Sequence, residues 1–154
     1  MREEFDIGYL AVGLGLVLFL LYITGVIGGE SKKDQPVEPE DDRTTPWTLD
    51  DIRKYDGTGP DGKIYIGCNG FVFDVTNSDN FKEGGGYASF AGYDISMACA
   101  HYSTDKKWLG QEYDPDKTQL TFSQEESLTG FYISFCQKYR VMGKIVPANS
   151  KKSD

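Results

Sequence analysis

The chain has 154 residues, length for one globular domain with attachments. Its formal net charge of −8 excludes a nucleic-acid surface, which needs a basic stripe, and suits solubility or docking onto a basic partner face. Cys68, Cys99 and Cys136 are scattered and odd in number, with no CxxC pair, so neither a zinc knuckle nor a thioredoxin-like motif is present and a reducing compartment fits best.

In chain order, residues 1–6 (MREEFD) form a net acidic N-terminal tail. From Ile7 to Ile27 the sequence IGYLAVGLGLVLFLLYITGVI carries no charge. As a helix it would extend roughly 31 Å, close to the hydrocarbon thickness of a bilayer. A cleaved signal peptide would want a basic n-region and a shorter apolar stretch, of about 7 to 15 residues. Residues 7–27 are therefore predicted to be a transmembrane helix, making this a single-pass membrane protein. Lys32 and Lys33 follow the span, against Arg2 alone before it, which favours a cytosolic C-terminal domain.

Residues 28–46 are rich in Glu, Asp, Lys, Pro and Thr and nearly lack apolar side chains, so they are predicted to be an acidic flexible linker. The globular domain is expected over residues 47–146, and residues 147–154 form a polar C-terminal tail. Thr48 and Asp51 make a capping-box-like start to a short helix ending near Gly57. KIYIGCNGFVFDVT sets two runs of β-branched and aromatic residues around Asn69-Gly70, the dipeptide suited to a type I′ hairpin turn. Ile64, Ile66, Val72 and Val75 supply its apolar positions.

ISMACAHY, Ile95 to Tyr102, has no breakers and is predicted to be helical, with Asp94 as its cap. TDKKWLG is expected to form another short helix ended by Gly110. In SQEESLTGFYISFCQKYR, Ser123 and Glu126 match a capping box, and Leu128, Phe131, Tyr132, Phe135 and Tyr139 recur along one helical face. VMGKIV returns as a strand. The sum is a small α+β domain, strands on one side and short helices on the other.

Between hairpin and helix lies FKEGGGYASFAGYD. Gly84 and Gly86 begin a dinucleotide-binding pattern, but Ser89 stands where its third glycine belongs, and no Gly-Lys-Ser/Thr follows. The spacing excludes a phosphate cradle. Hydrolytic constellations need a histidine, and the single one, His101, falls inside a predicted helix as a surface or packing residue. What remains is aromatic content: Phe71, Phe73, Phe81, Tyr87, Phe90, Tyr93, Tyr132 and Tyr139. These rings either fill a small core or line an apolar pocket for a flat cofactor or lipid. The glycines are then expected to keep side chains clear so that a flat ligand can approach the backbone.

Three stretches in order, IYIGCNGFVFDVTNSDNF, GGGYASFAGYDIS and FCQKYRVMGKIV, closely resemble the membrane-associated progesterone receptor family, within the cytochrome b5-like haem/steroid-binding domains. The resemblance implies a cytochrome b5-like haem/steroid-binding fold preceded by the single N-terminal transmembrane helix. It also implies haem b, five-coordinate and ferric, held without the two axial histidines of cytochrome b5. One histidine per chain independently excludes bis-histidine ligation within a monomer. By the resemblance, Tyr87 is the iron ligand, and Lys138 and Tyr139 match a Lys-Tyr pair lining the haem site. Lys82 departs from the pattern, since members often carry a second tyrosine there and the loop is a residue shorter; as a cation Lys82 can still reach a propionate.

The function so implied is that of a membrane-anchored haem-binding adaptor and not an enzyme. It would sit in the endoplasmic reticulum or another endomembrane and modulate partners such as sterol-metabolising haem monooxygenases. Sterols are a further candidate ligand, and an exposed haem face makes a haem-dependent homodimer conceivable. Two alternatives stand beside it: a steroid- or lipid-binding receptor module without haem, and a low-potential electron-transfer protein. A hard anionic phenolate favours the ferric state, and changes of ligation on reduction slow electron transfer, which weighs against the latter.

Overall fold

A computed structural model of the chain describes residues 40–152. The predicted membrane helix, residues 7–27, and residues 28–39 of the predicted linker lie outside them. Among the described residues no helix is long and apolar enough to cross a membrane.

The centre of the fold is the predicted hairpin. Strands β2 (Tyr65–Cys68) and β3 (Phe71–Asp74) pair antiparallel around Asn69 and Gly70, which take φ of 51° and 81°. Both positive values are what a type I′ turn requires. β4 (Arg140–Ile145) pairs antiparallel with β3 across an irregularity between Val72 and Phe73, and the short β1 (Pro46–Trp47) adds parallel to β4. The strand order is β1-β4-β3-β2.

Alternation along these strands sends successive side chains to two faces. Ile64, Ile66, Cys68, Phe73, Val75 and Val141 enter the larger core, together with Ile95, Ala98, Cys99 and Leu128 from the helical side. Tyr65 and Val72 face the other way and meet Ile52, with Trp47, Leu49, Tyr55, Met142 and Ile145 around them. A sheet covered on both faces is thereby the floor of one layer of helices.

Helix α1 (Leu49–Arg53) begins with the predicted box: Thr48 accepts from the Asp51 N–H, and Asp51 accepts from Thr48. It stops at Arg53, earlier than Gly57. Helix α2 (Ser96–Ala100) is shorter than the predicted Ile95–Tyr102, and its capping residue is Ile95. Asp94 still reaches the helix start, its Oδ1 accepting from the Ser96 N–H at 2.9 Å and from the Ser96 hydroxyl at 2.6 Å. TDKKWLG contributes a single 3₁₀ turn, Lys106–Trp108.

The long helix α3 (Phe122–Lys138) forms as expected, but its capping box is not Ser123 with Glu126. Thr121 accepts from the Gln124 N–H and Gln124 accepts from the Thr121 N–H. The two boxes are alternatives two residues apart. The earlier one extends the helix back to Phe122, which stays 75% exposed.

The fold also reaches into the stretch that composition assigns to a linker. Asp42 N–H bonds the Val141 carbonyl, Asp41 Oδ1 accepts from the Val141 N–H, and the Glu40 carbonyl accepts from Arg140. Arg43 donates to the Tyr132 hydroxyl at 3.0 Å and lies over the Phe71 ring. Polar residues can join a fold without burying a core of their own when a strand carries backbone groups that its neighbouring strand leaves unpaired.

Candidate functional site

The helices and the glycine loop enclose a cavity of about 380 Å³, within the size range of small-molecule sites. Three segments line it: the loop from Asn80 to Phe90, α2 with the turn that follows it, and the last two turns of α3. The first is built by local bonds. The Tyr87 N–H donates to the Asn80 carbonyl at 2.8 Å and the Gly85 N–H to the Lys82 carbonyl at 2.9 Å, folding the loop back on itself. A Cβ at Gly85 would run into the Asp79 and Asn80 backbone, so only glycine closes this fold-back. None of the three glycines lines the cavity. That corrects the expectation that they clear a path for a ligand: they shape the turn that presents Tyr87.

Of the four residues implicated by the sequence, three meet at this cavity: Tyr87, Lys138 and Tyr139. Tyr87 is 41% exposed, and its ring stacks on Phe90 with centroids 5.5 Å apart and planes 18° apart. Phe81, buried beneath, lies 5.9 Å from the Tyr87 ring and 6.2 Å from that of Tyr139. The Tyr139 hydroxyl donates to Ser78 Oγ at 3.2 Å, which fixes the ring where α3 hands over to β4. Lys138 is exposed at the end of α3 and lines the cavity without a carboxylate partner among the described residues. Lys82 is elsewhere: its ammonium bonds Asp79 at 2.9 Å on the surface and is not part of the lining.

His101 packs flat on Trp108, ring centroids 3.6 Å apart, and does not line the cavity. Two lining residues carry chemistry that no sequence motif marks, Cys99 and Tyr102. Cys99 is buried and contacts Cys68, and that contact, with burial, raises the Cys68 thiol well above its ordinary range. Tyr102 follows His101, the cap of α2, with nothing in its sequence neighbours to set it apart.

Among the described residues no cluster of three or more His, Cys, Asp or Glu side chains could hold a bare metal ion. The donor set does fit a cofactor that brings its own equatorial ligands. The Tyr87 phenol stands on an aromatic floor, and the Lys138 ammonium at the lining has no carboxylate partner among the described residues.

A four-stranded sheet carrying a crevice walled by α2, α3 and the glycine loop is a cytochrome b5-like domain, a haem-binding fold. A solved Arabidopsis thaliana structure described as having a cytochrome b5-like fold superposes with a TM-score of 0.55 at 31% identity, over 68% of this chain and 93% of that one. An Arabidopsis thaliana protein named probable steroid-binding protein 3 is 33% identical over 101 residues, 97% of its length. Human membrane-associated progesterone receptor component 2 is 35% identical over 109 residues, 70% of this chain and 48% of that protein. The aligned part thus spans about half the length of the mammalian relatives. No family model matches the chain. The chain belongs to the family of membrane-associated progesterone receptor components and their steroid-binding relatives.

Proposed function

We propose that this protein is a membrane-tethered haem-binding adaptor, with Tyr87 as the axial ligand. The observation that carries the reading is the meeting of Tyr87, Lys138 and Tyr139 on one aromatic cavity that no histidine reaches. Haem bound there would supply a ferric centre open to a further ligand. Every other element belongs to the chain. A ferric cation favours the phenolate form of a tyrosine ligand, as in the tyrosinate site of catalase. Stacking on Phe90 restricts that ring to few orientations. The Lys138 ammonium is free to pair with a carboxylate by a charge-assisted hydrogen bond. Phe81, Phe90 and Phe135 exclude water from the cavity floor.

The role is binding and presentation, with no chemical step of the protein's own. The apolar segment 7–27 would tether it to an endomembrane, and haem monooxygenases that act on sterols are the class of partner that suits such an adaptor. A second reading, a steroid site without haem, is favoured by the names of the relatives and by the apolar cavity floor. Hemin titrated into the purified chain in neutral detergent should give a high-spin ferric spectrum that Tyr87→Phe abolishes. An unchanged spectrum in the variant sinks the ligand assignment. Chain isolated without added hemin and lacking a haem absorbance band, yet retaining a sterol, would favour the second reading.

A further inference from the structure

Tyr102 occupies a backbone conformation that tyrosine rarely accepts. Helix α2 ends in paired bonds, the Tyr102 N–H to the Cys99 carbonyl at 3.1 Å and the Ser103 N–H to the Ala98 carbonyl at 3.0 Å. That pattern is a Schellman motif, whose first residue past the cap must be left-handed and is usually glycine. Here it is Tyr102, at φ 48°. Among the described residues the other non-glycine residue with positive φ is Asn69, in the hairpin turn, a type that tolerates the conformation. An aromatic residue does not, so strain at this position points to a use for its side chain.

Packing is not that use. Tyr102 is 81% exposed, and its aromatic neighbour is Phe131, with centroids 5.7 Å apart. Both residues line the cavity of Tyr87. A left-handed residue directs its side chain away from the path of the preceding helix. Tyr102 therefore stands at the cavity mouth and not over the last turn of α2. Neither Ser103 nor Thr104, which follow it in the lining, could offer a comparable apolar face.

We propose that Tyr102 is a ligand-contact residue, its ring forming the outer wall of the site against the flat face of a planar, acid-bearing ring system. The inference rests on the haem reading of the cavity and adds a residue to it. Strain that the ligand-free fold carries at Tyr102 is offset by a contact made only when the site is filled. Fold and binding should then respond in opposite directions to its removal.

The test uses the 154-residue chain in neutral detergent, hemin as the probe, and the variants Tyr102→Gly, Tyr102→Asn and Tyr102→Phe. Glycine and asparagine both accept positive φ, so the ligand-free variants should melt at the wild-type temperature or above it. Their hemin affinity, read from absorbance titrations, should fall about fivefold to tenfold, the scale of one lost aromatic contact. Tyr102→Phe keeps the ring and should bind as the wild type does. Glycine and asparagine variants that bind like the wild type overturn the inference, as does a phenylalanine variant as weak as they are. Weakened binding accompanied by a lower melting temperature in both αL-tolerant variants also counts against it, since the residue is then structural. A wild-type chain that takes up no hemin overturns the haem reading and this inference together; hemin uptake lost in Tyr87→Phe but unaffected by every Tyr102 variant overturns this inference alone.

Discussion

Replacing Asp94 with asparagine should remove a pH-dependent weakness from the fold. Asp94 is 2% exposed where the chain leaves the edge of β2 and enters α2. Its Oδ1 is satisfied by Ser96, but its Oδ2 is buried without a hydrogen-bond partner. Burial pushes the carboxyl from its ordinary 3.8 up to about 6, against the opposing pull of the Ser96 hydrogen bonds. A group raised in the fold binds its proton more tightly there than in the unfolded chain. Its stabilising contribution is therefore complete below pH 3.8 and lost as pH rises through about 6. That shift corresponds to about 3 kcal/mol, or about 10 °C in melting temperature for a domain of this size.

An asparagine side chain at this position would ionise at no pH. Its amide also leaves a buried donor unpaired, a cost of about 1–3 kcal/mol that is constant with pH and cannot mimic the effect. Urea denaturation followed by tryptophan fluorescence, at intervals from pH 4 to pH 7.5, gives the stability of both proteins. The Asp94→Asn variant should gain on the wild type steadily as pH rises from 4 to 6, and hold that gain above 6. Surface carboxylates such as Asp56 and Asp114 are lowered by their own partners and act with the opposite sign. They are common to both proteins and cancel in the difference. Two stability curves that run parallel across this range would refute the assignment of the cost to Asp94.

Gly143→Ala should cost about 2–4 kcal/mol, because the added Cβ meets the Thr45 carbonyl and the Trp47 indole and pushes β1 off β4. An unchanged urea midpoint would show that β1 is not held by that close approach. Lys82→Ala should leave both melting temperature and hemin affinity unchanged, since its ammonium pairs with exposed Asp79 away from the cavity. A clear loss of affinity in the hemin titration would return Lys82 to the site.

Much of the local structure is legible from neighbours in the chain. Asn69-Gly70 between β-branched and aromatic runs has one good turn available to it, and the alternation of Ile64, Ile66 and Cys68 with Tyr65 assigns the faces. Thr48 with Asp51 closes its box within a single turn. The same rule misleads at α3. Thr121-Gln124 and Ser123-Glu126 both satisfy it, and only the position of the preceding chain decides between them. Residues 40–45 mislead for a different reason. Composition registers the absence of apolar side chains but not the backbone groups of β4 that Asp41 and Asp42 satisfy.

The candidate site divides along the same line. Sequence alone established a hairpin, a long aromatic-faced helix, a glycine loop unable to cradle phosphate, and a chain with one histidine to offer. These follow from contacts within a few residues, where spacing and side-chain type dictate the hydrogen bonds. Which of Tyr87, Lys82, Lys138 and Tyr139 share a cavity depends on how α3 lies against the loop, and that is set by packing across the sheet. Tertiary structure brought three of them together and left Lys82 on the surface. It also turned Tyr102 toward the cavity mouth through a left-handed backbone that no local pattern announces, because the Schellman bonds that impose it close only once α2 has ended.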